Sequence, residues 1–199
     1  MSVAARAIAA HGLTRRAISL GAVKAFDQTL QFLLPVLLVR CLDAATFGEY
    51  RLLWLAVGTV LSLATLGMPQ ALYYFVPRSE RAARRLYIHQ TFLFLGATGL
   101  AAALAVSPLN PWLPSTLLPL AKYGALVPAF VVLWVSASLL DMLPTIEERI
   151  GLQALATVST GVARTALLAG AAWFTGDLRV MLWLLLAVVL LKLALLAAY

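Results

Sequence analysis

An all-α, polytopic membrane protein is the fold class this sequence predicts, on three observations. Apolar runs of roughly 20 residues recur along the chain, long enough to cross a bilayer as helices. Of its 199 residues, 63% are hydrophobic and 12% are charged, giving a mean hydropathy of +0.94; a soluble domain is nearer half apolar and about a quarter charged. The ~10-residue alternating segments that mark a transmembrane barrel do not occur.

The net charge of +7 and pI near 10.1 do not indicate nucleic-acid binding, because the cations lie between the runs. Arg6, Arg15 and Arg16 precede the first run, and Arg78, Arg81, Arg84 and Arg85 follow the second. That is the positive-inside pattern, and it places the N-terminus in the cytoplasm. Cys41 is the sole cysteine, so the chain forms no internal disulfide.

Residues 1–17 form a basic cytoplasmic segment broken by Arg6, His11, Arg15 and Arg16, which suits an interfacial stretch and not a cleaved signal. Residues 18–199 divide into six spans at about 18–42, 52–75, 87–106, 118–140, 151–174 and 180–199. Pro35 should bend the first in its outer half. A short elbow, Leu42–Arg51, carries Asp43 and Glu49 between Arg40 and Arg51 and makes a tight link between antiparallel neighbours. Gly67 and Pro69 mark a kink late in the second span. The uncharged loop SPLNPWLPST, with its prolines and Trp112, suits the outer headgroup level. Pro119 falls in the first turn of the fourth span, and Pro128 marks a second kink. The turn over Asp141–Arg149 lies on the cytoplasmic side, and the sixth span carries Lys192. With no polar tail after that span, the expectation is the front part of a longer protein.

The first span begins with polar groups that do not belong in lipid. Lys24, Gln28 and Gln31 fall on one helical face with Asp27 beside them. Such groups at depth face a bundle interior or a wet cavity and mark pathways. Lys24 and Asp27, three apart, are close enough to pair; alternatively Lys24 contacts an anionic headgroup and Asp27 carries a proton or cation, or Lys24 snorkels. In the second span Gln70 extends a weaker polar face with Thr59, Ser62 and Tyr73.

The fifth span has Gln153, Thr157, Thr160 and Arg164 spaced four, three and four apart, one continuous polar face. At ~1.5 Å rise per residue Arg164 lands near the midplane, where a guanidinium must face protein or water. It either bonds carbonyls of a neighbouring helix or contacts phosphate, for which its planar fork is well shaped. Beside that face runs a small-residue stripe, Ser159, Ala163, Ala166 and Gly170, suited to close helix packing. If Lys24 and Asp27 neutralise each other, Arg164 is surplus charge that an anionic substrate would balance. His89 reads as interfacial, and Trp54, Tyr87, Trp112 and Trp173 as belt residues. No P-loop, nucleophile elbow, metal-ligand spacing or dinucleotide fingerprint is present, so the sequence points to no catalytic residue, metal or cofactor and to no enzyme.

Around the elbow the chain resembles the first helix pair of Wzx-type oligosaccharide flippases, of the multidrug/oligosaccharidyl-lipid/polysaccharide exporter superfamily. The matching residues are Arg40 and Leu42, Phe47-Gly48-x-Tyr50, and Gly67 with Ala71; the turn Ile146-Glu147-Glu148-Arg149 is also similar. The resemblance implies two pseudo-symmetric six-helix lobes around a cavity, of which this chain is the N-terminal one. It implies transport of a polyprenyl-diphosphate-linked oligosaccharide, an O-antigen or exopolysaccharide unit, across the bacterial inner membrane by alternating access. Its expected partners are that lipid, membrane lipids, a C-terminal lobe or partner helices, and a coupling H+ or Na+. The alternatives are a cation-coupled small-solute or drug antiporter of the same superfamily, a membrane enzyme using His89, Asp141, Glu147 and Glu148, and a non-transporting assembly subunit. Surplus Lys and Arg in the cavity favours the diphosphate over a cationic drug.

Overall fold

Long apolar runs without internal breakers fold as helices because lipid offers their backbone groups no other partners. The computed structural model describes the backbone of residues 3–146 and 150–198, and the side chains from Gly21 onward except at 150, 152, 153, 156, 197 and 198. Among the described residues every regular element is a helix: α1 (Val3–Cys41), α2 (Ala44–Ala64), α3 (Met68–Arg78), α4 (Arg81–Val106), α5 (Leu118–Ala121), α6 (Leu126–Ala137), α7 (Leu143–Ile146), α8 (Ile150–Phe174) and α9 (Leu178–Ala198), with short 3-10 turns before α5 and after α6. Four stretches are long and apolar enough to cross a membrane, namely Gly21–Cys41, Arg81–Val106, Leu126–Ile146 and Leu178–Leu196, and the bent pair α2–α3 makes a fifth. Six spans are expected from the sequence; α8, the expected fifth, includes side chains outside the described set. Glu147, Glu148 and Arg149 also lie outside the described residues.

The breaks follow local chemistry. α1 and α2 are joined by Leu42 and Asp43 alone, so most of the expected elbow is already the first turns of α2. Asp43 caps that helix, accepting hydrogen bonds from the amides of Ala45 (3.0 Å) and Thr46 (3.1 Å). The expected kink at Gly67 is present: α2 and α3 meet at 49°, with Leu66 at φ 43° and Gly67 at φ 72°. Gly67 adopts this left-handed backbone without the steric cost that a side chain brings. α1 stays helical on both sides of Pro35, as far as Cys41. One expectation about proline fails. The fourth span breaks not at Pro128 but at 122–125, where Gly124 has φ 58°, and Pro128 sits within the first turn of α6.

α6 is the hub. It packs against α4 on one side and α9 on the other, with α2 across α4 and α6. Gly99 of α4 sets the first seam, since a Cβ there would lie 3.3 Å from Val135 Cβ and 3.4 Å from the Val132 backbone. Phe130, Leu53, Leu38, Met181, Leu182 and Leu185 form the main core, and Leu95, Leu139 and Leu143 a second. α9 continues onto α8, and α8 onto α1. α1 therefore packs chiefly along α8, and touches its chain neighbour α2 only slightly. That divergence leaves room beside α1 for the cavities below.

Candidate binding cavity

Two cavities open along α1. The larger, about 610 Å³, lies towards the elbow and is lined by Gln31, Leu34 and Pro35 of α1, Gly48, Tyr50, Arg51 and Trp54 of α2, and Arg164 of α8. The smaller, about 270 Å³, lies towards the opposite end, between α1, α8, α9 and the end of α6. Its polar lining is Lys24, Asp27, Gln31, Thr157, Thr160, Arg164, Asp141 and Lys192. Gln31 and Arg164 line both, so the cavities meet at this pair.

Six of the nine residues singled out from the sequence thus come together: Lys24, Asp27, Gln31, Thr157, Thr160 and Arg164. Gln28 and Gln70 do not; both are exposed and line neither cavity. The cavity face of α1 runs through positions 24, 27 and 31, so the row holding Gln28 turns away. The Gln153 side chain lies outside the described residues. Of the small-residue stripe, Ser159, Ala163 and Ala166 are exposed and do not form the seam with α1. Close approach of α8 to α1 happens instead at Gly161, where a Cβ would lie 2.9 Å from Asp27 Oδ1. Glycine at 161 is what lets the Asp27 carboxylate sit against the α8 backbone.

The expected Lys24–Asp27 pair is absent. Asp27 Oδ2 accepts a hydrogen bond from Gln31 Nε2 at 2.7 Å, one helical turn on. Among the described residues Lys24 has no carboxylate within ion-pair distance. Arg164 is in the same position: its Nε is buried without a hydrogen-bond partner, and its guanidinium carbon lies 5.7 Å from the Trp54 ring centroid. The face of an indole attracts a cation but does not neutralise it. Among the described residues around the two cavities, Lys24, Arg51, Arg164 and Lys192 stand against Asp27 and Asp141, a surplus of positive charge.

Trp54 is not a belt residue. It stands at the centre of an aromatic cluster, edge-on to Trp134 at 5.1 Å and to Phe130 at 6.1 Å. Trp112 and Trp173 are exposed. Sequence reasoning also left Asp141 and Lys192 out of the site. Lys192 Nζ contacts Asp141 Oδ1 at 2.9 Å across the cavity floor. A lysine inside an apolar run was the available signal.

A charge-lined cavity in a helical bundle is where comparison with known proteins becomes informative. The model of a family described as polysaccharide biosynthesis protein matches residues 13–199. The chain belongs to that family. It is the family of the Wzx-type flippases that the elbow residues resemble, and its members are typically transporters, not enzymes. The several apolar helices agree with a multi-pass membrane protein of polysaccharide biosynthesis. Comparison with curated proteins and with solved structures gave no match.

Proposed function

We propose that this chain is the N-terminal lobe of a flippase that carries a polyprenyl-diphosphate-linked oligosaccharide across the bacterial inner membrane by alternating access, with its N-terminus in the cytoplasm. The observation that carries the reading is Arg164, a guanidinium with a buried, unpartnered Nε at the junction of two cavities whose lining is net positive. An arginine has only donors to offer and its fork matches phosphate. A bound diphosphate would supply both the missing acceptor atoms and the missing negative charge.

Cavity size supports a division of labour. Pockets for small organic ligands span ~300–1,000 Å³. The elbow-side cavity, at about 610 Å³, has room for sugar residues, whereas the 270 Å³ cavity suits a headgroup-sized anion. In this reading Arg164 and Lys24 hold phosphate, Thr157 and Thr160 add neutral donors, and Asp27, oriented by Gln31, carries the coupling H+ or Na+. A second lobe or partner helices complete the cavity on the side that α1 and α2 leave open. The positive surplus disfavours a cationic drug as cargo.

The test is transport in vesicles containing the full-length protein and a fluorescent prenyl-diphosphate saccharide. Translocation should fall at least about tenfold in Arg164→Gln, the weight of one hydrogen bond between charged groups, while the fold is kept. Equal translocation of an uncharged prenyl saccharide, unaffected by Arg164→Gln, would overturn the reading.

A further inference from the structure

The Lys192–Asp141 pair is asymmetric in a way that a structural ion pair need not be. The Lys192 side chain is only 13% exposed, whereas that of Asp141, in the 3-10 turn that ends α6, is 57% exposed. The cation is the buried partner, and its counter-ion stands half in solvent. Water screens such a contact from the carboxylate side. Lys192 Nζ also lies 5.6 Å from the Trp134 ring centroid, and Trp134 is edge-on to Trp54, the ring beneath Arg164. Lys192 and Arg164 therefore flank the two ends of one two-tryptophan wall, and both line the 270 Å³ cavity.

We propose that Lys192 is the second phosphate-contacting cation of this cavity, and that Asp141 is a displaceable counter-ion which occupies it until a diphosphate arrives. The inference rests on the flippase reading and deepens it, by naming what separates a diphosphate from a monophosphate. An ammonium has three donors, and carboxylate and phosphate oxygens are interchangeable partners for them. In the empty cavity Asp141 neutralises Lys192. When a diphosphate enters, one phosphoryl group meets Arg164 and the other takes the place of the carboxylate on Lys192. On the other side of the membrane Asp141 takes Lys192 back, which favours release. A monophosphate satisfies Arg164 alone and leaves the pair closed.

The experiment measures binding of farnesyl diphosphate and farnesyl monophosphate to the purified full-length protein and its variants. Wild type should prefer the diphosphate. Lys192→Gln should weaken diphosphate binding roughly tenfold, as loss of one charge-assisted hydrogen bond does, and leave the monophosphate nearly unchanged. Asp141→Asn should tighten diphosphate binding and slow its release. Because Lys192→Gln leaves Asp141 without its lysine, the double variant Lys192→Gln/Asp141→Asn serves as the folding control and should bind as Lys192→Gln does. Unchanged diphosphate preference in all three variants, with Arg164→Gln still weakening both ligands, overturns this inference and leaves the flippase reading standing. Failure of wild type to bind either ligand, or indifference to Arg164→Gln, overturns both.

Discussion

Charged groups at the elbow end of the bundle and along its cavities are handled in opposite ways. At the elbow, Glu49 of α2 receives Lys122 Nζ at 2.6 Å and the Tyr123 hydroxyl at 2.5 Å, from the turn between α5 and α6. Asp43 beside it is used up as the cap of α2. Along the cavities, Arg164 has a bare buried Nε and the exposed Lys24 no ion-pair partner among the described residues. A satisfied carboxylate that joins residues more than 70 positions apart holds geometry. A buried guanidinium nitrogen without an acceptor has a cost in stability that a ligand can remove. Substitutions should therefore split: elbow changes lower stability and spare transport, and cavity changes do the reverse.

The largest departure from that split is expected at the seam that builds the cavity. Gly161→Leu places side-chain atoms where the Asp27 carboxylate now sits. It should cost about 1–3 kcal/mol, as overpacking does, and abolish transport, read by thermal unfolding and by export. Next, Glu49→Gln should lower stability by about 1–2 kcal/mol, below the full value of two hydrogen bonds to a charge because Lys122 is 57% exposed. Transport should persist; its loss would mean that the clamp takes part in the cycle.

Tyr123 sharpens the same point through pH. Burial, followed by the hydrogen bond to Glu49 and that residue's charge, pushes its hydroxyl well above the usual tyrosine range. A raised value means the clamp's contribution is whole below the ordinary ~10 of a free tyrosine. It is lost as pH climbs through the higher folded value. Wild type should lose stability in that alkaline window, and Tyr123→Phe should show less of this loss while being about 1 kcal/mol less stable at neutral pH. The smallest effect belongs to Asp43. Its cap hydrogen bonds, led by Thr46, hold it below the usual carboxylate range, so the cap persists above the ordinary ~3.9 and is lost as pH falls through the folded value. Asp43→Ala should quicken hydrogen exchange at the Ala45 and Thr46 amides and change little else.

The sequence showed what depends on local chemistry and missed what depends on which helices meet. Apolar length marked the helices, and Gly67 marked the 49° break, because both act within one segment. The polar faces of α1 and α8 were legible as helical spacing, and six of their nine candidate residues share the site. The errors came from one-turn ambiguities and from long-range pairing. Positions 27 and 28 differ by one residue, and only the docking of α1 on α8 decides which faces inward. Trp54 is indistinguishable from a belt tryptophan until α6 brings Trp134 beside it. Glu49 meets Lys122, and Asp141 meets Lys192, across separations that no periodicity encodes.

The central claim is that Arg164 is left bare for an anion. Its most direct test is polysaccharide export by cells in which this gene alone carries Arg164→Lys, Arg164→Gln or Arg164→Glu, with protein level and thermal stability measured in parallel. The account predicts partial export for lysine, which keeps the charge without the fork, little for glutamine and none for glutamate, with stability equal to or above wild type for glutamine. Export at wild-type level from the glutamate variant would contradict it.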